Sequence, residues 1–215
     1  MREEANRVPM GRRFIDLHVH SDRSGGVDSR EAMEAFAAGL GVRVSFCDGA
    51  EPEDGVELVF SSKGELRAGS LKAPYLILRP LSAEALARAV KIKRAVIDAP
   101  LKPGHARSMH ENGCAVEFNL SRLIGASGIE RVRAIRMMRS NLVCARKYAV
   151  PMVAATGACS VYDLRSAHQV YWLLKVLGFS DSEAKEAMYG APQGILEQGR
   201  AVVEGRVVEE GVVVL

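Results

Sequence analysis

Seven short apolar runs alternate with helical patterns along the chain, and this alternation constrains the fold more than any other feature. The runs have the length and the β-branched or aromatic content of strands. They are 14–19, 42–47, 56–60, 75–78, 95–97, 115–118 and 152–155. Helical or turn-like segments separate them near residues 29–40, 64–72, 82–91, 105–112, 129–148 and 164–178. Such alternation is typical of a parallel sheet with helices on its outside.

Seven strands favour a closed or nearly closed sheet. We therefore predict an α/β fold, a TIM-barrel-like parallel β/α barrel, with an open doubly wound sheet as the alternative. A chain of 215 residues can bury a full core, and no Pro/Ser-rich linker divides it, so we expect residues 1–215 to form a single domain. Residues 201–215 alternate less cleanly, and we predict that they form a C-terminal extended tail.

The helical segment 129–148 is amphipathic and strongly basic. One side carries an apolar stripe that predicts contact with a core, formed by Ala134, Ile135, Met138, Leu142 and Ala145. The other side carries five cations, namely Arg133, Arg136, Arg139, Arg146 and Lys147. No carboxylate follows Glu130 in this segment to neutralise them. An arginine-rich face favours phosphate contacts, whereas a merely solvated face is the alternative.

The formal net charge of +3 is modest, so affinity for nucleic acid would have to come from such local clustering.

A polar residue follows or ends each predicted strand. On a barrel these groups would converge on one face, the usual place for a ligand. They are Asp16, His18, His20, Asp48, Ser61, Ser62, Lys63, Arg79, Asp98, Glu117, Asn119 and Thr156. The cations Lys63 and Arg79 could add a second set of phosphate contacts, although solvated loop cations are an equal alternative.

The segment around His18 and His20 predicts a metal site. Two histidines at i and i+2 on a strand point to one side, and we place Asp16 on that side and Glu117 at the end of a later strand as further ligands. The segment is similar to the first motif of the PHP family of metal-dependent phosphoesterases. That family uses more histidines and a late D-x-H motif, whereas this chain has 155–160 as Ala-Thr-Gly-Ala-Cys-Ser. The ligands are too few for a two-metal hydrolytic site, which leaves a single divalent metal or simple hydrogen bonding.

The four cysteines are far apart and form no C-x-x-C pair. We expect reduced thiols in a cytoplasmic protein. No run approaches the roughly 18 apolar residues of a membrane span, so we expect no membrane association.

Three ordered segments resemble the ribonuclease P protein component 3 family, the archaeal relatives of the thirty-kilodalton subunit of eukaryotic ribonuclease P. The segments are 117–120, 138–151 and 160–166. The resemblance covers most of the chain and is sharpest over residues 115–197. It implies a barrel that assists a catalytic RNA in removing the 5′ leader of precursor tRNA.

The resemblance also implies partners. They are ribonuclease P RNA, protein component 2, the other ribonuclease P protein subunits and precursor tRNA. The RNA would hold Mg²⁺ and perform the hydrolysis, so the chain itself would be noncatalytic and need no cofactor. The cations of the basic helix and Arg165 in the following loop would then contact RNA phosphates. A PHP-type phosphoesterase and a protein-binding module that never touches RNA are the alternatives.

Overall fold

Seven parallel strands are present in the computed structural model, which describes residues 14–62 and 73–204. They are β1 (Ile15–Val19), β2 (Arg43–Phe46), β3 (Val56–Phe60), β4 (Leu76–Pro80), β5 (Val96–Ile97), β6 (Ala115–Asn119) and β7 (Met152–Ala155). β1 pairs with β2, and β3 to β7 form a second sheet in which each strand pairs with the next in the chain. The predicted strands are confirmed to within two residues at each end.

Backbone hydrogen bonds between the two sheets nearly close them into one barrel. The amide of His20 donates to the carbonyl of Ala158 at 2.8 Å, and the amide of Ala158 donates to the carbonyl of His18 at 3.2 Å, which joins β7 to β1. The amide of Gly55 donates to the carbonyl of Phe46 at 2.8 Å, which joins β2 to β3. The order is sequential around a nearly closed, TIM-barrel-like fold, without the reversal of a doubly wound sheet among the described strands.

Helices connect the strands and cover the outside of the barrel. They are α1 (Arg30–Gly39), α2 (Ala83–Ala89), α3 (Pro103–Glu111), α4 (Ser121–Ile124), α5 (Gly128–Tyr148), α6 (Ala167–Leu177), α7 (Asp181–Lys185) and α8 (Ala191–Val203). Serine side chains cap four of them by accepting the amide N–H three residues later; the caps are Ser29, Ser82, Ser166 and Ser180. Within the described residues, none of these helices has the length and apolar content needed to span a membrane.

The barrel interior is filled by apolar side chains below its mouth. They are Ile15, Leu17, Cys47, Tyr75, Ile77, Val96, Ala115, Val153 and Leu196. A larger apolar core lies between the strands and the helices. This filling leaves the carboxyl ends of the strands as the part of the interior where polar groups can gather.

The Tyr75 hydroxyl crosses the interior and ties the two sheets together. It lies 2.8 Å from the carbonyl of Leu17 and 3.2 Å from that of Phe46, and it can donate to either. The Ser45 hydroxyl is 2.9 Å away. The ring packs against Gly55 so closely that an added Cβ there would lie 2.2 Å from it. Only glycine fits at this position without displacing the ring.

The predicted helices near 29–40, 82–91, 105–112 and 129–148 are confirmed, and the one near 64–72 lies outside the described residues. The helix predicted near 164–178 begins at Ala167, because Ser166 caps it with a capping box.

The predicted extended tail is wrong for residues 201–203, which continue α8. The buried residues Leu196 and Gly199 of α8 are three positions apart and lie on one side of the helix. Pro192 in its first turn suits a helix start. The rest of the predicted tail, 205–215, lies outside the described residues. Residues 201–203 are helical because they continue a helix whose residue Leu196 packs into the interior of the barrel.

Replacing Gly199 with Ala tests the packing of α8. An added Cβ would lie 1.9 Å from the carbonyl oxygen of Pro74, so we expect the free energy of unfolding to fall by about 1–3 kcal/mol. Gly194→Ala in the same helix is the matched control. Nothing lies within 4 Å of a Cβ there, so this change should stabilise by about 0.5–1 kcal/mol. Urea denaturation followed by circular dichroism measures both; equal stabilities would contradict this packing.

Candidate functional site

Four side chains gather at the mouth of the barrel, and we call them the mouth cluster. His18 and His20 come from the end of β1, Glu57 from β3 and Glu117 from β6. The two histidines and Glu117 are buried, and Glu57 is half-buried. Alternation along the strands explains the placement, because residues two apart, such as Ala115 and Glu117, point to the same side.

The imidazoles of His18 and His20 face each other through their Nε2 atoms, which are 3.0 Å apart. The Glu57 carboxylate lies beside both, with Oε1 3.6 Å from Nε2 of His18 and Oε2 3.4 Å from Nε2 of His20. Among the described residues, these three bring nitrogen and oxygen ligand atoms within 4.8 Å of one another. The prediction that the two histidines share one side is confirmed.

The other ring nitrogens have partners of their own. Nδ1 of His18 lies 2.7 Å from Oε1 of Glu117. Nδ1 of His20 lies 3.0 Å from the hydroxyl of Ser24, which in turn donates to the carboxylate of Asp48. A carboxylate therefore orients each imidazole from its Nδ1 side, directly for His18 and through the Ser24 hydroxyl for His20.

Electrostatics favour opposite charges within the mouth cluster. Burial lowers the pKa of His18, but Glu117 and Glu57 outweigh it and hold this pKa well above the ordinary value for histidine. Burial raises the pKa of Glu57, yet its contacts with His18 and His20 bring it below the ordinary value for a glutamate. The cluster therefore stabilises a positive charge on the His18 imidazole and a negative charge on the Glu57 carboxylate.

Asp16, which we predicted as a metal ligand, has different partners. Its carboxylate accepts hydrogen bonds from the amide of Thr156 at 3.1 Å and from the Thr156 hydroxyl. Burial raises the pKa of Asp16 to about 6, against the lowering effect of these bonds. Asp16 fastens β1 to the end of β7 and lies outside the group of metal-ligand atoms.

Other predicted strand-end residues lie at the same face. Asp98 pairs with Arg122, with one oxygen 2.7 Å and 3.1 Å from two guanidinium nitrogens. Burial and the neighbouring Glu117 raise the pKa of Asp98 to about 6, although Arg122 lowers it. Arg79, on β4, has a buried Nε without a hydrogen-bond partner in the described structure. Lys63 lies outside the described residues.

Sequence reasoning missed Glu57. The predicted site residues are polar groups at the ends of strands, whereas Glu57 is the second residue of β3. A single carboxylate within the apolar run Val-Glu-Leu-Val-Phe was the available signal, because a charged side chain inside a barrel strand needs a polar partner.

The basic helix predicted over 129–148 is α5. Its predicted apolar stripe is confirmed, since Met138, Leu142 and Ala145 are buried. Its five cations differ in their contacts. Arg133 pairs with Glu130 at 2.6 Å, and Arg139 donates to the carbonyl of Val176 at 2.9 Å.

Arg146 departs most from the prediction. It makes two bonds of 2.7 Å with the carboxylate of Glu183 and a third of 2.7 Å with the carbonyl of Gly178. The expectation of a face without acidic partners is thus wrong at this position, because α7 supplies a carboxylate that is distant in sequence. Arg136 and Lys147 are exposed. The guanidinium of Arg165 donates to two carbonyls of its own loop.

The Arg146–Glu183 pair makes a pH-dependent contribution to stability. Arg146 lowers the pKa of Glu183 to about 2. Because the folded-state pKa lies below the unfolded value, the contribution is present at neutral pH and is lost as the pH falls from about 4.5 to about 2.

A double-mutant cycle with Arg146→Ala and Glu183→Gln measures the coupling by urea denaturation. The pair is partly exposed, so we expect about 0.3–1 kcal/mol at pH 7. We expect a value near zero at the lowest pH at which all four variants remain folded. Coupling that does not change with pH would contradict the pairing.

Taken together, the fold and the mouth cluster define an α/β-barrel protein with a polar centre at the carboxyl ends of its strands. Residues 54–202 match the family model described as RNase P subunit p30. This match spans more than half of the chain, and the protein belongs to that family.

Relatives at the level of sequence carry the name ribonuclease P protein component 3. The Methanosarcina mazei protein is 36% identical over 110 residues, which cover 49% of this chain and 46% of the relative, so this alignment spans about half of either protein. The Methanosarcina acetivorans protein is 28% identical, with 90% of this chain and 82% of the relative covered. A solved chain from "cryo-EM structure of archaeal Ribonuclease P with mature tRNA" has a similar fold, with a TM-score of 0.67, 22% identity and coverage of 86% and 81%.

Proposed function

We propose that this chain is a protein subunit of ribonuclease P that assists the catalytic RNA in removing the 5′ leader of precursor tRNA. The observation that carries the proposal is the family match over residues 54–202. The proposed partners are ribonuclease P RNA, protein component 2, the other ribonuclease P protein subunits and precursor tRNA. The site of action would be the cytoplasm, where four unpaired cysteines stay reduced.

In this proposal the RNA holds the Mg²⁺ ions and performs the hydrolysis, while the protein supplies cations and a rigid surface. The exposed cations Arg133, Arg136 and Lys147 of α5 contact RNA phosphates. Arg139 and Arg146 attach α5 to the end of α6, and Arg146 also binds Glu183 of α7, so they position that surface as well as charging it. A helix fixed in this way loses little freedom when it binds.

Arg165 and Arg79 make smaller contributions to the proposed RNA contact than the cations of α5. Arg165 is held by two carbonyls of its own loop, so it contributes charge from a fixed position. Arg79 lies among the polar residues of the barrel mouth and would meet only RNA that approaches that face.

The phosphoesterase alternative is not favoured. The mouth cluster groups three ligand residues among the described part of the chain, and a two-metal hydrolytic site needs more.

Reconstituted cleavage of precursor tRNA tests the proposed function. The cognate catalytic RNA is assayed at low Mg²⁺ with protein component 2, and this chain is either added or omitted. We expect correct 5′ ends to form faster only when the chain is present. An unchanged rate across Mg²⁺ concentrations would overturn the proposal.

Salt dependence tests the RNA-binding surface. Replacing Arg133, Arg136 and Lys147 with Ala removes three phosphate contacts, so the slope of log affinity against log salt should become shallower by about two to three units. The matched control replaces Arg88, Lys91 and Lys93, which are on or next to α2, and should leave the slope unchanged. Equal slopes for the two triple variants would remove α5 from the RNA interface, even if cleavage is still stimulated.

A further inference from the structure

We propose that the mouth cluster is a mononuclear zinc-type site. Its ligands are Nε2 of His18, Nε2 of His20 and the carboxylate of Glu57, and its fourth position is open towards the barrel mouth. The inference goes beyond the proposed function, because it rests on the barrel interior and not on the basic helix.

The spacing of the three ligand groups matches a tetrahedral ion. Zinc binds imidazole nitrogen and carboxylate oxygen at about 2.0–2.2 Å, which places neighbouring ligand atoms roughly 3.3–3.5 Å apart. The two Nε2 atoms are 3.0 Å apart, and the carboxylate oxygens of Glu57 lie 3.6 Å and 3.4 Å from them. Small movements of flexible side chains would bring all three to one ion.

The surrounding hydrogen bonds fix the ring protons in the arrangement that metal binding needs. Glu117 is an acceptor at Nδ1 of His18, and Ser24, which itself donates to Asp48, is an acceptor at Nδ1 of His20. With both rings neutral, protons held at both Nδ1 atoms leave the two Nε2 atoms as acceptors that face each other. Two lone pairs at 3.0 Å repel each other unless a proton or a cation lies between them. Such carboxylate–histidine contacts are typical of the groups that orient metal ligands.

A buried oxygen of Glu57 supports the same conclusion independently. Oε1 of Glu57 is buried without a hydrogen bond in the described structure and lies 3.6 Å from Nε2 of His18. One carboxylate and two imidazoles that face a shared centre form a group that a divalent cation would satisfy.

The ligand set favours zinc over magnesium and a single ion over two. Two imidazole nitrogens suit Zn²⁺, whereas Mg²⁺ prefers oxygen ligands. Asp16 is occupied by Thr156, so it adds no ligand for a second ion. The side chains of His20 and Glu57 are 10% and 15% exposed, which provides an entry path and leaves the fourth position for water or a phosphate oxygen.

Zinc binding to the full chain tests the inference. The metal-free protein is titrated with Zn²⁺ in competition with a chromophoric chelator, without RNA. We expect one tightly bound ion per chain. His20→Gln and Glu57→Gln should each weaken binding at least 100-fold, and Glu117→Gln by about 10–100-fold because it acts through His18. His168→Gln and Glu84→Gln, outside the cluster, are the matched controls and should bind as the unaltered chain does.

Several results would overturn the inference. One is a stoichiometry near zero for the unaltered chain. Another is retention of the original zinc affinity by folded His20→Gln and Glu57→Gln variants, which would mean an adventitious ion only. If the variants fail to fold, X-ray absorption spectroscopy of the zinc-loaded, unaltered chain identifies the zinc ligands instead. Two imidazoles and oxygen ligands at about 2.0–2.2 Å are expected, and a spectrum without imidazole would contradict the site. Cleavage of precursor tRNA is measured separately, so failure of this inference leaves the proposed function intact.

Discussion

The hydroxyl of Tyr75 is the interaction on which the rest of the barrel depends. The strand ladder is incomplete between β2 and β3, where the amide of Gly55 donates to the carbonyl of Phe46. The Tyr75 side chain, from just before β4, adds contacts with the carbonyls of Leu17 and Phe46 at this place. The hydroxyl is itself buried, and a buried hydroxyl without a hydrogen-bond partner would destabilise the fold by about 1–3 kcal/mol. Gly55 makes the arrangement possible, because its missing side chain leaves room for the ring.

The apolar interior below the mouth gives the polar residues above it a rigid base. Leu17 lies between Asp16 and His18 in β1, so the strand that anchors to Tyr75 also carries the first histidine of the mouth cluster. Burial makes each charge at this level costly unless it is paired. The observed pairs follow that rule: His18 with Glu117, and Asp98 with Arg122. Rigid strands therefore hold ionisable groups at distances that loops would not maintain.

The basic helix combines structure and charge. Arg139 and Arg146 use carbonyls at the end of α6 as acceptors, where the helix leaves carbonyls free. Arg133, Arg136 and Lys147 remain on the exposed side of α5. Arg139 and Arg146 both position this surface and add to its charge. Replacing either one would therefore change the geometry of the surface together with its charge.

The sequence by itself determined the seven strands, the amphipathic helix α5 and the shared side of His18 and His20, because each follows from the periodicity of neighbouring residues. The tertiary structure alone decided that Glu57 joins the histidines, that Asp16 turns to Thr156, and that Glu183 neutralises Arg146. These contacts join residues 37 to 140 positions apart. Their partners depend on how the strands close and how the helices pack, which local patterns do not specify. Residues 201–203 are helical for the same reason, since α8 packs against the barrel.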